Sequence, residues 1–384
     1  MSGLWDVVSG FSRTSADLLL VRVTKLRVGV IFGGRSGEHE VSIASAASIF
    51  KHLDRSRYDP VPIRIEKDGR WALTSKAPTA ISAAEVLKQS STEALQTIEP
   101  TAAVSPSGID VVFPVLHGTN GEDGTIQGLL ELANVPYVGC GVLGSAAGMD
   151  KAVMKRLFEG RGLRVGPYLV VMGYEWRRDA AGLTRRIADA LGYPVFVKPA
   201  NLGSSVGISK AASAEQLAAS MELALQFDRK VVIEAAVPNA REIECAVLGN
   251  DDPEASLPGE VIPSREFYDY EAKYIDDNSK TIIPAPLSDA ETAEIRRLSI
   301  EAFKAVECSG MARVDFLLSR DTGGLFVNEV NTIPGFTTIS MYPKMWEATG
   351  LPYPALLDRL IQLALERHGE KQRLRTSVAE DHHR

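Results

Sequence analysis

The chain has 384 residues, enough for two or three domains at roughly 100–200 residues each. Apolar residues make up 45% and charged residues 24%, the balance of a globular protein that can bury its cores without staples. With 42 Lys and Arg against 49 Asp and Glu, the net charge of −7 argues against a dedicated nucleic-acid binder, though not against a local basic pocket for a small anion. Three scattered cysteines, Cys140, Cys245 and Cys308, suit neither a disulfide framework nor a zinc site and point to a reducing cytoplasm. No apolar run approaches the ~18 residues of a membrane span, so no membrane association is expected.

Residues 1–25 read as an extension, poorly ordered or loosely docked, since Leu18–Val21 is too short an apolar run for a signal peptide. Leu26–Phe32 is a buried strand entering the Gly33-Gly34 turn, and Val41–Leu53 has helical spacing. Asp59–Ile65 is the next strand, and Ser75–Pro106 carries no clear pattern. Ile109–Leu116 is a strong strand, followed by a helix through Leu132 and a short strand at Pro136–Val138. This alternation predicts an open parallel sheet with helices on both faces, ending near Gly139. A helix from near Asp150 then precedes strands at Tyr168–Val171, Tyr193–Lys198, Ile208–Lys210 and Val231–Glu234, the pattern of an antiparallel lid carrying helices. Further on come an alternating strand at Arg241–Leu248, a long irregular segment at Pro263–Pro286 and a helix at Asp289–Val306. A hairpin, Met311–Leu318 and Leu325–Val330, turns at Asp-Thr-Gly-Gly, and the polar stretch from His368 is expected to fray.

The hairpin concentrates chemistry. Side chains two apart on a strand share a face, so Arg313 and Asp315 point one way, as do Glu329 and Asn331. With the turn centred near Thr322, Asp315 falls opposite Glu329 and Arg313 opposite Asn331. The reverse face is then Val314, Phe316, Leu318, Phe326 and Val330, with Asn328 the exception. Two carboxylates, a carboxamide and a guanidinium suit Mg²⁺, which completes its shell with substrate phosphates; a solvated face with a salt bridge is the plain alternative. Pro334-Gly335-Phe336-Thr337 favours function, because Gly335 can present a bare N–H to an anion.

Other segments carry weaker signals. In KPANLGSSVG (198–207), Lys198 ends a strand before a Gly-Ser backbone able to form an anion nest, although an ordinary hairpin fits as well and no Walker A pattern is present. Lys151 starts a helix and could reach the same phosphates. GGRSGEHE (33–40) leads a glycine turn into a helix N-terminus without the dinucleotide fingerprint, and its Glu38 either receives an ammonium or caps the helix. His117 follows a strand C-terminus, the usual site edge of an open α/β sheet.

Together these segments resemble the D-alanine–D-alanine ligases of the ATP-grasp superfamily. The matching motifs are GGRSGEHEVS (33–42), HGTNGEDGTIQG (117–128), MDK (149–151), KPANLGSSVG (198–207), VVIE (231–234), FYDYEAKY (267–274), MARVDF (311–316) and NEVNTIPGFTTIS (328–340). The resemblance implies an α/β ATP-grasp fold of three domains: an N-terminal open parallel α/β domain (26–139), a central lid domain (140–236) and a C-terminal α+β domain (237–367). An extension (1–25) with no counterpart in the family and a polar tail (368–384) flank them.

The resemblance also implies a reaction and a site. ATP lies between the central and C-terminal domains, with two Mg²⁺ ions, replaceable by Mn²⁺, on Asp315, Glu329 and Asn331. ATP phosphorylates the first D-alanine, and the amine of the second attacks the acyl phosphate to give D-alanyl-D-alanine for peptidoglycan. By motif, Lys151, Lys198, Lys273 and the Ser205 backbone hold phosphates, while Glu234, Ala235 and Val237 line the adenine site. Glu242 takes the ribose and Phe267 packs near the nucleotide. Glu38, with His117 beside it, anchors the first ammonium, and Ser340 and Met341 meet the second carboxylate. Arg313 and the Gly335 N–H serve the oxyanion, and Glu38, Ser204 and Tyr274 form a hydrogen-bonded triad that closes a water-excluding cover. A cytoplasmic homodimer is the family's usual state. Ligation to D-lactate or D-serine is the alternative, but relatives with those activities usually depart from the YDYEAKY that this chain keeps. A nicotinamide-dependent oxidoreductase would leave residues 311–340 unexplained.

Overall fold

The computed structural model describes residues 25–88, 96–105, 108–203, 206–262 and 280–375. Ser204, Ser205, Phe267, Lys273, Tyr274 and all of the expected N-terminal extension except Lys25 lie outside them. The described strands form three sheets.

In the first sheet β1 (Leu26–Gly33) pairs in parallel with β2 (Tyr58–Ile65) and β5 (Val111–Pro114). The run of β1 is apolar because both of its faces are covered. Two short strands, β3 (Trp71–Leu73) and β4 (Gln96–Thr97), add antiparallel at the β2 edge, so the sheet is parallel only at its centre. Strands this short show no alternation in sequence. Around Pro136–Val138 there is only a bridge, Val112 to Tyr137.

The second sheet is antiparallel, in the order β6 (Tyr168–Met172), β9 (Lys230–Ala235), β7 (Val195–Pro199), β8 (Ser209–Ala211). Its oily face takes Ile187, Leu217 and Met221 from two helices against Val195, Val197, Val231 and Ile233. The third sheet is built on β10 (Ala240–Gly249) and β14 (Gly310–Ser319), paired antiparallel along their whole length. Outside them lie β11 (Glu254–Ala255), β12 (Gly259–Ile262) and β13 (Lys280–Ile282) on one side and β15 (Leu325–Asn331) on the other. The helix Asp289–Ala305 packs behind, its start fixed by a reciprocal capping box between Ser288 and Glu291.

The hairpin register places Asp315 opposite Glu329 and Arg313 opposite Asn331, as strand parity required. Past Asp315 the register slips, and Phe316 pairs with Val327. That bulge corrects one expectation. Val327, 1% exposed, enters the core, while Phe326 pairs with Leu317 on the opposite face and lies 4.4 Å from the Arg164 guanidinium.

The first and third sheets share one core. Val28, Phe32 and Phe113 cluster with Ala246, Leu248 and Met311 and with Leu356, Leu360 and Ile361 of the C-terminal helix Tyr353–Gln372. That helix runs beyond His368, where fraying was expected, because Lys371 pairs with Glu131 and Gln372 bonds Asn134 at 2.5 Å. Arg367 lies 4.5 Å from the Tyr137 ring centroid and donates to the carbonyls of Tyr137 (3.0 Å) and Gly139 and to Ser309 Oγ (2.5 Å). Arg367→Ala removes this rivet, and we predict a loss of about 2–3 kcal/mol, read as a lower urea midpoint with unchanged slope. An unchanged midpoint would remove Arg367 from the contacts that hold the two sheets together.

Candidate active site

A cavity of about 730 Å³ opens where the three sheets meet. Every expected site residue within the described residues lines it: Glu38, His117, Lys151, Lys198, Glu234, Ala235, Val237, Glu242, Arg313, Asp315, Glu329, Asn331, Gly335, Ser340 and Met341. Their grouping along the cavity separates three chemistries.

At one end lies the second sheet. Lys198 on β7 contacts Glu234 on β9 at 2.9 Å, and Lys155, from the helix Lys151–Gly160, reaches the other oxygen at 3.2 Å. Burial alone would push the Glu234 carboxyl up, but the two ammonium groups outweigh it and hold it at about 2. Lys198 shows the converse. Burial pulls its ammonium down, yet Glu234, Glu329 and Glu242 leave it raised. Lys155, 2% exposed, gave no sequence signal beyond its place in an amphipathic helix. Lys151 donates to the Leu202 carbonyl at 2.5 Å, and Asp150 fixes its helix by accepting the N–H groups of Ala152 (3.1 Å) and Val153 (3.0 Å).

The middle is the face of β10, β14 and β15. Arg313 grips Asp315 through two hydrogen bonds of 2.7 Å and lies 3.1 Å from Glu244. Asn331 Nδ2 donates to Asp315 at 2.9 Å. Glu244 was missed in sequence, although it stands two residues from Glu242 on an alternating strand and pairs directly with Asp315. Among the described residues no three of His, Cys, Asp and Glu form a metal cage. Two cross-strand carboxylates with a carboxamide are instead an all-oxygen donor set, which fits a hard divalent cation completed by phosphate oxygens.

The other end belongs to the first sheet. β1 ends in Gly33, where φ is +92° and a methyl group would lie 2.2 Å from the Ile65 carbonyl, so only glycine makes this turn. The turn delivers Glu38 to the N-cap of the helix His39–His52, yet its side chain makes no capping bond. Glu38 Oε2 points at Gly118 and Gly203 instead, 2.7 Å from where a methyl group on either would stand. Helix capping therefore does not account for Glu38. His117 Nδ1 lies 3.1 Å from the Ile333 carbonyl and Nε2 lies 3.4 Å from Ser45 Oγ, and burial holds the ring down at about 4. His117 is thus neutral, with both ring nitrogens engaged. Glu122, also missed as a site residue in sequence, accepts from Gly118 N–H (2.8 Å) and Ile333 N–H (3.3 Å). Its enclosure and the nearby Glu38 push its carboxyl up to about 8. Ser340 caps its own loop, accepting the Thr337 N–H at 3.0 Å, and a methyl group on Gly335 would lie 2.7 Å from Ser340 Oγ.

Residues 27–140 match the family model for the D-ala D-ala ligase N-terminus, and residues 157–362 match that for the C-terminus. The chain belongs to the D-alanine–D-alanine ligase family. It is therefore an ATP-dependent, ADP-forming ligase of ATP-grasp fold that uses a divalent metal ion. It is 51% identical to a D-alanine–D-alanine ligase of Heliobacterium modesticaldum, over 91% of this chain and 97% of that one. It is 53% identical to one of Solibacter usitatus, over 91% and 98%. Among solved structures, the D-alanine-D-alanine ligase from Coxiella burnetii superposes with a TM-score of 0.76 at 40% identity, covering 91% of this chain and 96% of that one. The VanG D-Ala:D-Ser ligase from Enterococcus faecalis gives 0.77 at 35%, covering 89% and 100%.

The Glu234 cluster sets an acid limit on the ligase. Its folded carboxyl titrates near 2 and an unfolded one near 4.3, so the stabilisation is complete above about pH 5 and is lost as pH falls towards 2. We predict that Glu234→Gln costs about 3 kcal/mol at pH 7 and flattens the stability profile between pH 5 and 3. Equal acid sensitivity of both proteins in denaturant titrations would contradict this.

Proposed function

We propose that this cavity joins two D-alanines into D-alanyl-D-alanine, a peptidoglycan precursor, through an acyl phosphate. One observation carries the reading. A lysine-lined pocket, an oxygen-donor face and the Glu38 carboxylate share a single cavity, in the order that a nucleotide, a transferring phosphoryl group and an amino acid require.

Lys151 and Lys198 hold the nucleotide phosphates, with Lys273 and the Ser205 backbone, outside the described residues, completing the set. Glu234, Ala235 and Val237 line the adenine site, Glu242 meets the ribose, and Phe267 packs near the nucleotide. Asp315, Glu329 and Asn331 would hold two Mg²⁺ ions, replaceable by Mn²⁺, which neutralise charge on the transferring phosphoryl group. Glu38 binds the first D-alanine's ammonium and so fixes where its carboxylate lies. A carboxylate is a poor electrophile, and phosphorylation gives it a leaving group. Ser340 and Met341 hold the second D-alanine by its carboxylate, and its amine attacks once deprotonated. Arg313 and the Gly335 N–H donate to the oxyanion that develops. Glu38, Ser204 and Tyr274 link the first-sheet turn, the glycine loop and the 263–279 segment into a cover that keeps water from the acyl phosphate.

The proposed compartment is the cytoplasm, which supplies ATP and suits three unpaired thiols; no described helix is long and apolar enough to cross a membrane. The proposed assembly is a homodimer. The partners are small molecules, and no nucleic acid takes part.

Phosphate release tests this reading. D-alanine with ATP and Mg²⁺ should release phosphate and form the dipeptide, and D-serine or D-lactate as second substrate should be used poorly. In a competition at equal D-alanine and D-lactate at pH 7, mostly D-alanyl-D-lactate by mass would overturn the substrate and leave the ligase class standing. Glu329→Gln should cut phosphate release by about 100-fold or more without lowering the melting temperature, a loss of the size expected for removing key charge stabilisation. An unchanged rate at saturating Mg²⁺ would take Glu329 out of the metal site.

A further inference from the structure

We propose that Glu122 is a positioning residue for the reaction: with His117 it clamps both backbone polar groups of Ile333, and so fixes the loop that carries Gly335. The proposal rests on the reading of Gly335 as an oxyanion donor.

The geometry is a grip from one turn onto another. Glu122 Oε1 accepts the Ile333 N–H at 3.3 Å, while His117 Nδ1 lies 3.1 Å from the Ile333 carbonyl. Facing a carbonyl, Nδ1 must carry the proton, which leaves Nε2 to accept from Ser45 Oγ at 3.4 Å. Ser45 Oγ in turn accepts the Phe336 N–H at 3.2 Å. The residue after Pro334 is therefore held on both sides, through Ile333 before it and Phe336 after it, by groups of the first sheet. The second oxygen of Glu122 takes the Gly118 N–H at 2.8 Å, which keeps the turn after His117 in the shape the grip needs.

Closing the turn does not by itself call for Glu122. Asp123 already accepts the N–H groups of Asn120 (2.8 Å) and Thr125 (3.0 Å). Among the described residues Glu122 makes no ion pair, and an unpaired carboxyl in a cavity wall is costly unless its hydrogen bonds are needed. The needed bond is the one to Ile333, 211 residues away in the chain and two positions before Gly335. A backbone donor misplaced by a fraction of an ångström still permits substrate binding but stabilises a tetrahedral oxyanion less.

The test compares wild-type and Glu122→Gln. It uses a phosphinate dipeptide that mimics the tetrahedral intermediate, in the presence of ATP and Mg²⁺. The clamp predicts that Glu122→Gln lowers kcat and weakens phosphinate inhibition by about tenfold or more, with KM for ATP within about twofold and an unchanged melting temperature. Ser45→Ala, which removes the Phe336 acceptor, should show the same pattern to a smaller extent and carries the test if Glu122→Gln does not fold. Parallel losses in phosphinate inhibition and in KM for both D-alanines, or no change in either variant, would overturn the clamp. Wild-type protein that binds the phosphinate no more tightly than D-alanine would instead overturn the oxyanion reading on which the clamp depends.

Discussion

Like charge crowded onto one face of a sheet is the constraint around which this molecule is arranged. Glu242, Glu244, Asp315 and Glu329 project from three adjacent strands into one cavity. In a space partly shielded from water, four carboxylates at this density repel one another and must be compensated. Arg313 supplies part of the compensation from within the face, gripping Asp315 and lying against Glu244. Lys198 supplies more from the second sheet across the cavity, since its ammonium is raised by Glu329 and Glu242 as well as by Glu234. A divalent cation belongs to the same balance, because it brings charge that the protein alone does not supply to the oxygen donors. The second and third sheets are thus linked electrostatically across the cavity.

Much of this was legible in the sequence because strand parity is a strong rule. Arg313, Asp315, Glu329 and Asn331 could be assigned to one face from their spacing, and the cross-strand pairs follow once the turn is placed. Parity failed one residue further on. A bulge changes the count on a single strand, and nothing in Leu325–Val330 marks where the extra residue falls, so Phe326 and Val327 exchanged faces. The short edge strands β3 and β4 were illegible for a related reason: two or three residues cannot show a period. The helix end at Gln372 is polar and reads as a tail. Its order comes from Glu131 and Asn134, side chains more than 200 residues away.

The missed site residues share a cause as well. Lys155 lies on a helix whose other polar residues are mostly exposed, and only the fold shows that its ammonium reaches Glu234. Glu244 looked like the ordinary polar member of an alternating strand until β14 was laid beside it. Glu122 sits in a conspicuous motif, yet its partner is the backbone of Ile333, which has no side-chain signature at all. Sequence shows which groups are available; it does not show which backbone N–H each will meet.

The state of His117 bears on what the first-sheet end of the cavity can accept. A histidine beside a substrate ammonium would repel it if protonated, and its reference value near 6.5 would place that change close to neutral pH. Here the ring is enclosed, one nitrogen facing a carbonyl and the other a hydroxyl, and it stays neutral down to about pH 4. The groups that can carry charge around it are then Glu38, Glu122 and Arg313. Enclosure, and after it the closeness of Glu38, pushes the Glu122 carboxyl up to about 8, because a buried carboxylate beside another ionises with difficulty. An ammonium placed between them would relieve that repulsion, whereas a neutral hydroxyl would not. The fold thus keeps His117 uncharged and leaves Glu38 and Glu122, rather than a protonated imidazole, to meet whatever group enters this end of the cavity.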